Sequence, residues 1–318
     1  MNKNNLPLSE KYRPNTIDDL VLDDFTELKI RTAIERKEIE NIIFTGISGV
    51  GKTSTVKCIA KSIYHKNNKN MIFELNASNE RGIKSITDVE NFCKQTRNIV
   101  EGYCKNKLLI LDEADTITAK ALKTLSPLMG KYPETIMIFT CNDSTKIKES
   151  IQSKCTIIQF GSIPIEKYLK RIKYICDQEK IEYEEDGLRH LYKIYDNDIR
   201  KILNTIELIH NSENKITIPI INEVMALPPE EEIYELIDYI IKKDIVNIVK
   251  YGDNFEKKGY CSQDILLIII KYLETYDIDN DIKMNIAKTL CFNAYEMSKN
   301  DSKYLHFVAT LLMCIQDT

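Results

Sequence analysis

The feature that most constrains this chain is residues 46–53, which read Gly-Ile-Ser-Gly-Val-Gly-Lys-Thr. They match the pattern G-x-x-x-x-G-K-[ST], in which backbone N–H groups surround phosphates, the lysine adds positive charge and the hydroxyl reaches Mg²⁺. An apolar run, residues 42–44, precedes the loop, and apolar residues at helical spacing follow it. Strand, loop and helix in this order are the context in which the motif binds a nucleotide. The predicted nucleotide-binding residues of the loop are Gly46, Ser48, Gly49, Val50, Gly51, Lys52, Thr53 and Ser54.

A second motif lies where the apolar run 108–111 ends in Asp112 and Glu113. An acidic strand end is by itself more often a solvated turn, but a preceding P-loop reverses that preference. We expect Asp112 to hold Mg²⁺ together with Thr53, and Glu113 to orient the attacking water. A glutamate beside the magnesium aspartate predicts hydrolysis of ATP as well as binding.

Two further polar residues suit the same site. Asn142 follows the apolar run 136–139 and could touch the γ-phosphate or its water, while Arg200 lies in a helical region and could reach the phosphates when that region closes. Spacing alone leaves a capping asparagine and a solvated arginine as alternatives.

The pattern of apolar residues predicts an α/β fold with a parallel sheet. Five continuous apolar runs, typical of strands buried on both faces, occupy residues 42–44, 71–75, 108–111, 136–139 and 156–158. From Ile165 onward the spacing becomes helical, and no proline follows Pro229. We therefore expect a P-loop domain over residues 1–162, a helical lid over 163–228 and an all-helical domain over 229–318. Its stripes, including Leu305 and Met313, indicate core packing, and part of a stripe could instead face a partner subunit.

Composition excludes several classes of protein. The 318 residues carry a net charge of −4, and the longest unbroken apolar run, residues 265–270, is far shorter than a membrane span needs. Nine cysteines are scattered without a C-x-x-C pair and only four histidines are present, a pattern that disfavours a disulfide framework or a zinc site. Any contact with nucleic acid therefore needs a local basic patch or a shared assembly.

The chain resembles the small subunits of replication factor C, a clamp-loader family of AAA+ ATPases. The resemblance covers nearly the whole length, and Asn79 with the helical C-terminus is most similar to the subunit numbered four in yeast and two in humans. Its motifs lie at residues 10–14 (EKYRP), 74–83 (ELNASNERGI), 111–115 (LDEAD), 141–142 (CN), 151–155 (IQSKC) and 197–200 (NDIR).

The resemblance implies a heteropentamer that uses ATP and Mg²⁺ to open a PCNA-type sliding clamp and load it onto primer–template DNA. It implies no membrane partner, and it implies nuclear residence, with a viral replication site as the alternative. Residues 229–318 would form the collar that joins subunits. By position, Tyr12, Arg13 and Pro14 would line the adenine pocket, Asn142 would be sensor 1 and Arg200 sensor 2.

Several positions depart from the family pattern. The family's arginine that reaches the neighbouring ATP site is here Lys154, which keeps the charge but lacks the planar fork. Arginines expected to meet DNA are also missing, which leaves Arg81 and Lys84 as candidates, with a solvated face as the alternative. These losses keep a second hypothesis open, a mainly structural, ATP-binding subunit with little turnover. A helicase or recombination motor is a third and weaker reading.

Overall fold

The structure, a computed structural model, describes residues 6–64, 69–77, 83–95, 104–161, 163–212, 214–299 and 303–317. The chain divides into two compact units, Met1–Ile216 and Thr217–Thr318. The predicted P-loop domain and most of the predicted lid lie in the first unit, and the second unit begins twelve residues before the predicted boundary at 229. The finer division into three domains stays a prediction.

The first unit is built on a five-stranded parallel sheet, as the apolar runs predicted. Its strands pair in the order β2-β3-β4-β1-β5. They are β1 (Ile42–Thr45), β2 (Ile72–Asn76), β3 (Lys107–Asp112), β4 (Thr135–Cys141) and β5 (Thr156–Gln159). Because all the strands are parallel, their carboxyl ends meet at one edge of the sheet. The P-loop after β1, the acids at the end of β3 and Asn142 after β4 are therefore brought together.

Helices cover both faces of this sheet. Alternate residues of a strand point to opposite faces, so apolar side chains are buried on each side. Ile43, Leu109 and Phe139 pack in one buried cluster, while Phe44 and Ile138 pack in another. The helices of this part are α1 (Leu8–Lys11), α2 (Asp24–Arg36), α3 (Lys52–Ile63), α4 (Ile83–Lys94), α5 (Ala119–Lys131) and α6 (Glu149–Gln152).

Three amphipathic helices complete the first unit: α7 (Ile165–Glu179), α8 (Glu185–Tyr195) and α9 (Ile199–Asn211). Their buried residues include Leu169, Ile172 and Ile206, which belong to the predicted stripes. We refer to these three helices as the lid.

The second unit is entirely helical in its described residues, and its apolar side chains form one cluster. Its helices are α10 (Ile218–Val224), α11 (Glu230–Ile241), α12 (Ile245–Lys257), α13 (Ser262–Thr275), α14 (Asn280–Met297) and α15 (Lys303–Met313). None of the helices in the described ranges is long and apolar enough to cross a membrane.

One predicted stripe of this unit was partly wrong. Leu305 is 75% exposed and Met313 49% exposed, while Phe307, Leu311 and Cys314 form the buried face of the last helical segment. Residues 305–314 are apolar around most of the helix, so the pattern alone could not fix which side faces the core.

Candidate functional site

The P-loop wraps the amino end of α3, which begins at Lys52. Gly49 and Gly51 have φ values of +80° and +95°, a region in which side chains with a Cβ are strained. Lys52 is buried, and its Nζ donates to the carbonyls of Gly46 and Ile47, at 2.7 Å each, and to Oδ1 of Asn142 at 2.9 Å. The ammonium group thus occupies the mouth of the loop and joins it to the end of β4.

The lid touches the P-loop at Gly49. A Cβ added there would lie 2.0 Å from Oδ1 of Asp198. Asp198 is buried and caps α9, since Oδ1 accepts from the backbone N–H of Lys201 at 3.1 Å. The P-loop therefore needs glycine at this position because the cap of a lid helix fills the space.

The two acids at the end of β3 are fixed by hydroxyl groups. Oδ1 of the buried Asp112 accepts from Oγ1 of Thr53 at 2.7 Å and from Oγ1 of Thr140 at 2.5 Å. The Thr140 hydroxyl in turn accepts from the backbone N–H of Glu113 at 3.1 Å. Glu113 has a left-handed backbone, φ 55°, and its side chain is exposed. Thr140 thus holds Asp112 and Glu113 in one arrangement.

Asp115 adds a third carboxylate that the sequence reading did not single out. Its Oδ2 accepts from the backbone N–H of Asn142 at 3.2 Å. Its Oδ1 is buried without a hydrogen-bond partner among the described residues. Asp115 is among the residues that line the same cleft as Lys52.

The cleft collects most of the predicted site residues. Burial lowers the pKa of Lys52, and nearby Arg200 adds to that shift, while Asp115 and Asp112 oppose it. Arg200 and the P-loop lysine line the same cleft. The predicted residues that line the cleft are Tyr12, Arg13, Pro14, Ser48, Gly49, Val50, Gly51, Lys52, Thr53, Ser54, Asp112, Glu113, Asn142 and Arg200.

Lys154 lies apart from this cleft, as a residue acting on a neighbouring site would. It precedes β5 and is therefore at the opposite edge of the sheet from the P-loop. Its side chain is exposed, and Nζ donates to the carbonyl of Ser126 on α5 at 2.8 Å. Of the two predicted DNA-binding residues, Arg81 lies outside the described residues. Lys84 is in the first turn of α4, but its side chain also lies outside the described part.

The residues present fit a nucleotide with Mg²⁺. The glycine cradle, the lysine at its mouth and the unpaired Asp115 oxygen suit an anion with its cation. In the described residues, no group of three or more His, Cys, Asp or Glu could hold a metal by itself. One carboxylate, one hydroxyl and the phosphates of the ligand would instead supply the coordination, which is how Mg²⁺ is commonly bound.

Several residues of the site were not found by sequence reasoning. Thr140, Asp115 and Asp198 come from three different elements, and each acts through a contact distant in sequence. Asp115 is the last residue of the motif at 111–115, and Asp198 lies within the motif at 197–200. Those positions were signals that could have pointed to both.

The fold and the cleft define a AAA+ ATPase. Residues 42–162 match the ATPase family associated with various cellular activities (AAA). Solved structures of the RuvB Holliday junction branch migration motor of Thermotoga maritima share this fold. One has a TM-score of 0.54 and 14% identity, covering 77% of this chain and 85% of its own.

More specific matches extend over the whole chain. Residues 228–312 match the replication factor C C-terminal domain. A relative from Acanthamoeba polyphaga mimivirus that bears the name of a replication factor C small subunit is 33% identical, over 99% of this chain and 98% of its own. Replication factor C subunit 5 of Homo sapiens is 29% identical over 99% of this chain and 92% of its own. The replication factor C small subunit of Archaeoglobus fulgidus is 29% identical over 95% and 97%. The chain belongs to the replication factor C small-subunit family.

Proposed function

We propose that this chain is an ATP-hydrolysing small subunit of a heteropentameric clamp loader, which opens a PCNA-type sliding clamp and places it on primer–template DNA. The observation that carries the proposal is the convergence of Lys52, the acid pair Asp112 and Glu113, and Arg200 in one cleft. Membership of the replication factor C small-subunit family supplies the biological context, DNA replication.

Each chemical role follows from the position of a side chain. Lys52 would exchange its contacts with P-loop carbonyls for the β- and γ-phosphates of ATP, which the loop's N–H groups surround. Thr53 and Asp112, already joined by a hydrogen bond, would hold Mg²⁺. When bound, Mg²⁺ neutralises charge on the phosphate oxygens. Glu113 would orient the attacking water, and Asn142, which contacts Lys52, would meet the γ-phosphate.

The lid would report whether ATP is bound. Arg200 belongs to α9, and the Asp198 cap of the same helix rests on Gly49. A phosphate that attracts Arg200 and alters the P-loop would therefore act on α9 from two points. We infer that the state of the nucleotide changes the angle of the lid, and so the shape of the assembly.

The alternative, a mainly structural subunit, concerns how strongly this chain stimulates ATP hydrolysis in the neighbouring subunit. Lys154 is held by the carbonyl of Ser126 in its own subunit and lacks the bidentate geometry of arginine. We propose that it stimulates hydrolysis in the neighbouring site only weakly. The residues of the chain's own cleft favour active turnover there.

Further parts of the proposal rest on the family. We propose nuclear residence, a collar formed by residues 229–318, and DNA contacts by Arg81 and Lys84. The likeness to the subunit numbered four in yeast and two in humans is also kept as a proposal, supported by Asn79. The relatives include subunit 5 of Homo sapiens and subunit 3 of Saccharomyces cerevisiae, so the position within the pentamer needs the partner subunits to be identified.

The test is the ATPase activity of the reconstituted complex, with and without clamp and primed DNA, for the wild type and for Lys52→Ala. A matched control is Lys131→Ala, which removes a solvent-exposed lysine paired with Glu90. The proposal expects a clear loss of stimulated hydrolysis in Lys52→Ala only. Equal activity of all three complexes would favour the structural subunit.

A further inference from the structure

The N-terminal segment lines the cleft and also contacts the lid. We call residues 8–20 the N-terminal strap. Its middle residues, Tyr12, Arg13 and Pro14, line the cleft. The strap is attached to α3 of the P-loop core, because Sγ of Cys58 contacts the carbonyl oxygens of Pro14 and Thr16, at 3.5 and 3.4 Å. One side of the strap is thus fixed to the core.

Helix α7 of the lid holds the other side of the strap. The Tyr12 hydroxyl donates to the carboxylate of Glu179, and Nζ of Lys11 lies 2.8 Å from the same carboxylate. Two turns earlier on α7, Arg171 donates to the carbonyl of Tyr12 at 3.3 Å and to Oδ1 of Asp19 at 3.0 Å. Tyr12 is therefore held by one helix at both its backbone and its hydroxyl.

The charges at this contact favour a strong hydrogen bond. Burial, together with the bond to Glu179, raises the pKa of Tyr12 to about 12, so its hydroxyl keeps its proton at neutral pH. Burial opposes ionisation of Glu179, but the hydrogen bonds from Lys11 and Tyr12 outweigh it and lower the pKa of that carboxyl. A neutral donor therefore faces an ionised acceptor, the stronger type of hydrogen bond.

We propose that Glu179 is a positioning residue for the base end of the nucleotide site, where it makes Tyr12 part of the lid. The inference rests on the proposed function, since it requires that the cleft binds ATP with the base against Tyr12, Arg13 and Pro14, as the family resemblance implies. Glu179 is absent from the residues that line the cleft and acts through Tyr12 and Lys11 of the strap. The phosphates would be held by the P-loop, a part of the core. The base would be held by a wall that belongs to the lid, so base binding and lid placement would be one event.

Because the P-loop would hold the phosphates and the strap the base, a change at Glu179 should alter the affinity only for ligands that carry a base. Inorganic tripolyphosphate presents three phosphates and no base, so it can use the P-loop but not the strap. Weakening the Glu179–Tyr12 bond should therefore reduce affinity for ATP and leave affinity for tripolyphosphate nearly unchanged. A general loss of stability would instead reduce both.

The experiment measures dissociation constants of ATP and of tripolyphosphate for the full chain by calorimetry. The variants are Glu179→Gln, Tyr12→Phe and the double variant. The control, Tyr183→Phe, removes the same kind of bond elsewhere in the lid, where the Tyr183 hydroxyl donates to Asp177 at 3.1 Å. Each single variant should lower the affinity for ATP about five- to tenfold and the affinity for tripolyphosphate less than twofold. The double variant should bind ATP no more weakly than the worse single variant, because Glu179→Gln weakens the same bond that Tyr12→Phe removes.

The outcomes separate the two proposals. If the wild type binds neither ligand, the proposed function fails, and this inference fails with it. Only the inference is overturned if the wild type binds ATP and Glu179→Gln has the same affinity for ATP as the wild type. The same holds if Glu179→Gln lowers the affinity for ATP and for tripolyphosphate equally. Additive losses in the double variant would also overturn it. Tyr12→Phe keeps the ring and its packing, so it still tests the bond if Glu179→Gln does not fold.

Discussion

Thr140 joins the two acids of the site, although nothing in its sequence context marks it. Its hydroxyl donates to Asp112 and accepts from the N–H of Glu113. Thr140→Val keeps the shape but removes both bonds, so Glu113 should lose its alignment with the attacking water. Misplacing a catalytic group by about 1 Å can cost on the order of 100-fold in rate. We expect the stimulated kcat of the complex to fall about tenfold or more with KM little changed, as measured by steady-state kinetics. A change in KM alone would contradict this role.

Gly49 is required because of the lid residue it faces. Gly49→Ala adds a Cβ 2.0 Å from Asp198, whereas Gly51→Ala, also at a left-handed φ, meets nothing within 4 Å. Both variants carry the backbone strain, so the difference between them isolates the clash. Without nucleotide, Gly49→Ala should lower Tm more than Gly51→Ala in scanning calorimetry. Asp198→Ser, which shortens the side chain but keeps a cap, should recover part of the difference. Equal Tm values would show that the lid does not press on the P-loop.

At the scale of single residues, the sequence predicted those that lie in continuous motifs. The P-loop and the acid pair can be recognised because their chemistry is local. Thr140, Glu179 and the contact of Asp198 with Gly49 could not be predicted, because each joins residues at least 27 positions apart in the sequence. Such contacts exist only after the sheet and the lid have formed.

Helix α4 ends on a buried lysine from β3. Nζ of Lys107, a residue 1% exposed, donates to the carbonyls of Phe92, Cys93 and Gln95 at 2.7, 2.6 and 2.8 Å. These carbonyls lie at the carboxyl end of the helix, where that of Phe92 also accepts from the N–H of Gln95 at 3.3 Å. The last carbonyls of a helix lack intrahelical partners, and the negative end of the helix dipole favours a cation there. Lys107 thus ties the helix to the strand that carries Asp112.

Replacing this lysine should therefore destabilise the first unit. Lys107→Met leaves three carbonyls without this donor, two of them on the buried residues Phe92 and Cys93, which we expect to cost about 3 kcal/mol in the free energy of unfolding. The comparison is Lys94→Met, which removes a surface pair with Glu90 at the same helix end and should cost less than about 0.5 kcal/mol. Urea denaturation followed by circular dichroism measures both. Similar costs for the two variants would refute the capping role.

Helices and strands could be predicted where the pattern of apolar residues was compatible with only one arrangement. All five apolar runs became parallel strands. The three inner strands β1, β3 and β4 are buried along their whole length, as a continuous apolar run predicts, whereas the edge strands β2 and β5 are partly exposed. The segment around α15 is apolar on most sides, so the pattern fitted several orientations of the helix. Leu305 and Met313, which the pattern predicted to be core residues, are exposed. Packing against α12 and α14, rather than local pattern, decides that orientation.

On the scale of the whole molecule, Lys154 tests how much this subunit contributes to its neighbour. Arginine at this position would regain the planar fork that binds phosphate oxygens at two points. An arginine finger contributes about 10³–10⁵ in rate where it is fully placed. We expect Lys154→Arg to raise the clamp-stimulated ATPase of the complex severalfold. No gain in the variant complex would remove the hypothesis of a weakened finger.

The central claim is that this chain hydrolyses ATP with Glu113 as the residue that orients water. The most direct measurement compares ATP-binding stoichiometry and clamp-stimulated hydrolysis of complexes that contain wild-type chain or Glu113→Gln. The exposed Glu113 side chain is not needed to hold Asp112 or Thr53. We therefore predict that the Glu113→Gln complex binds the same number of ATP molecules as the wild type. Its rate of hydrolysis should fall by at least the fraction that this subunit contributes. Unchanged hydrolysis with unchanged binding would contradict it and make the subunit a structural one.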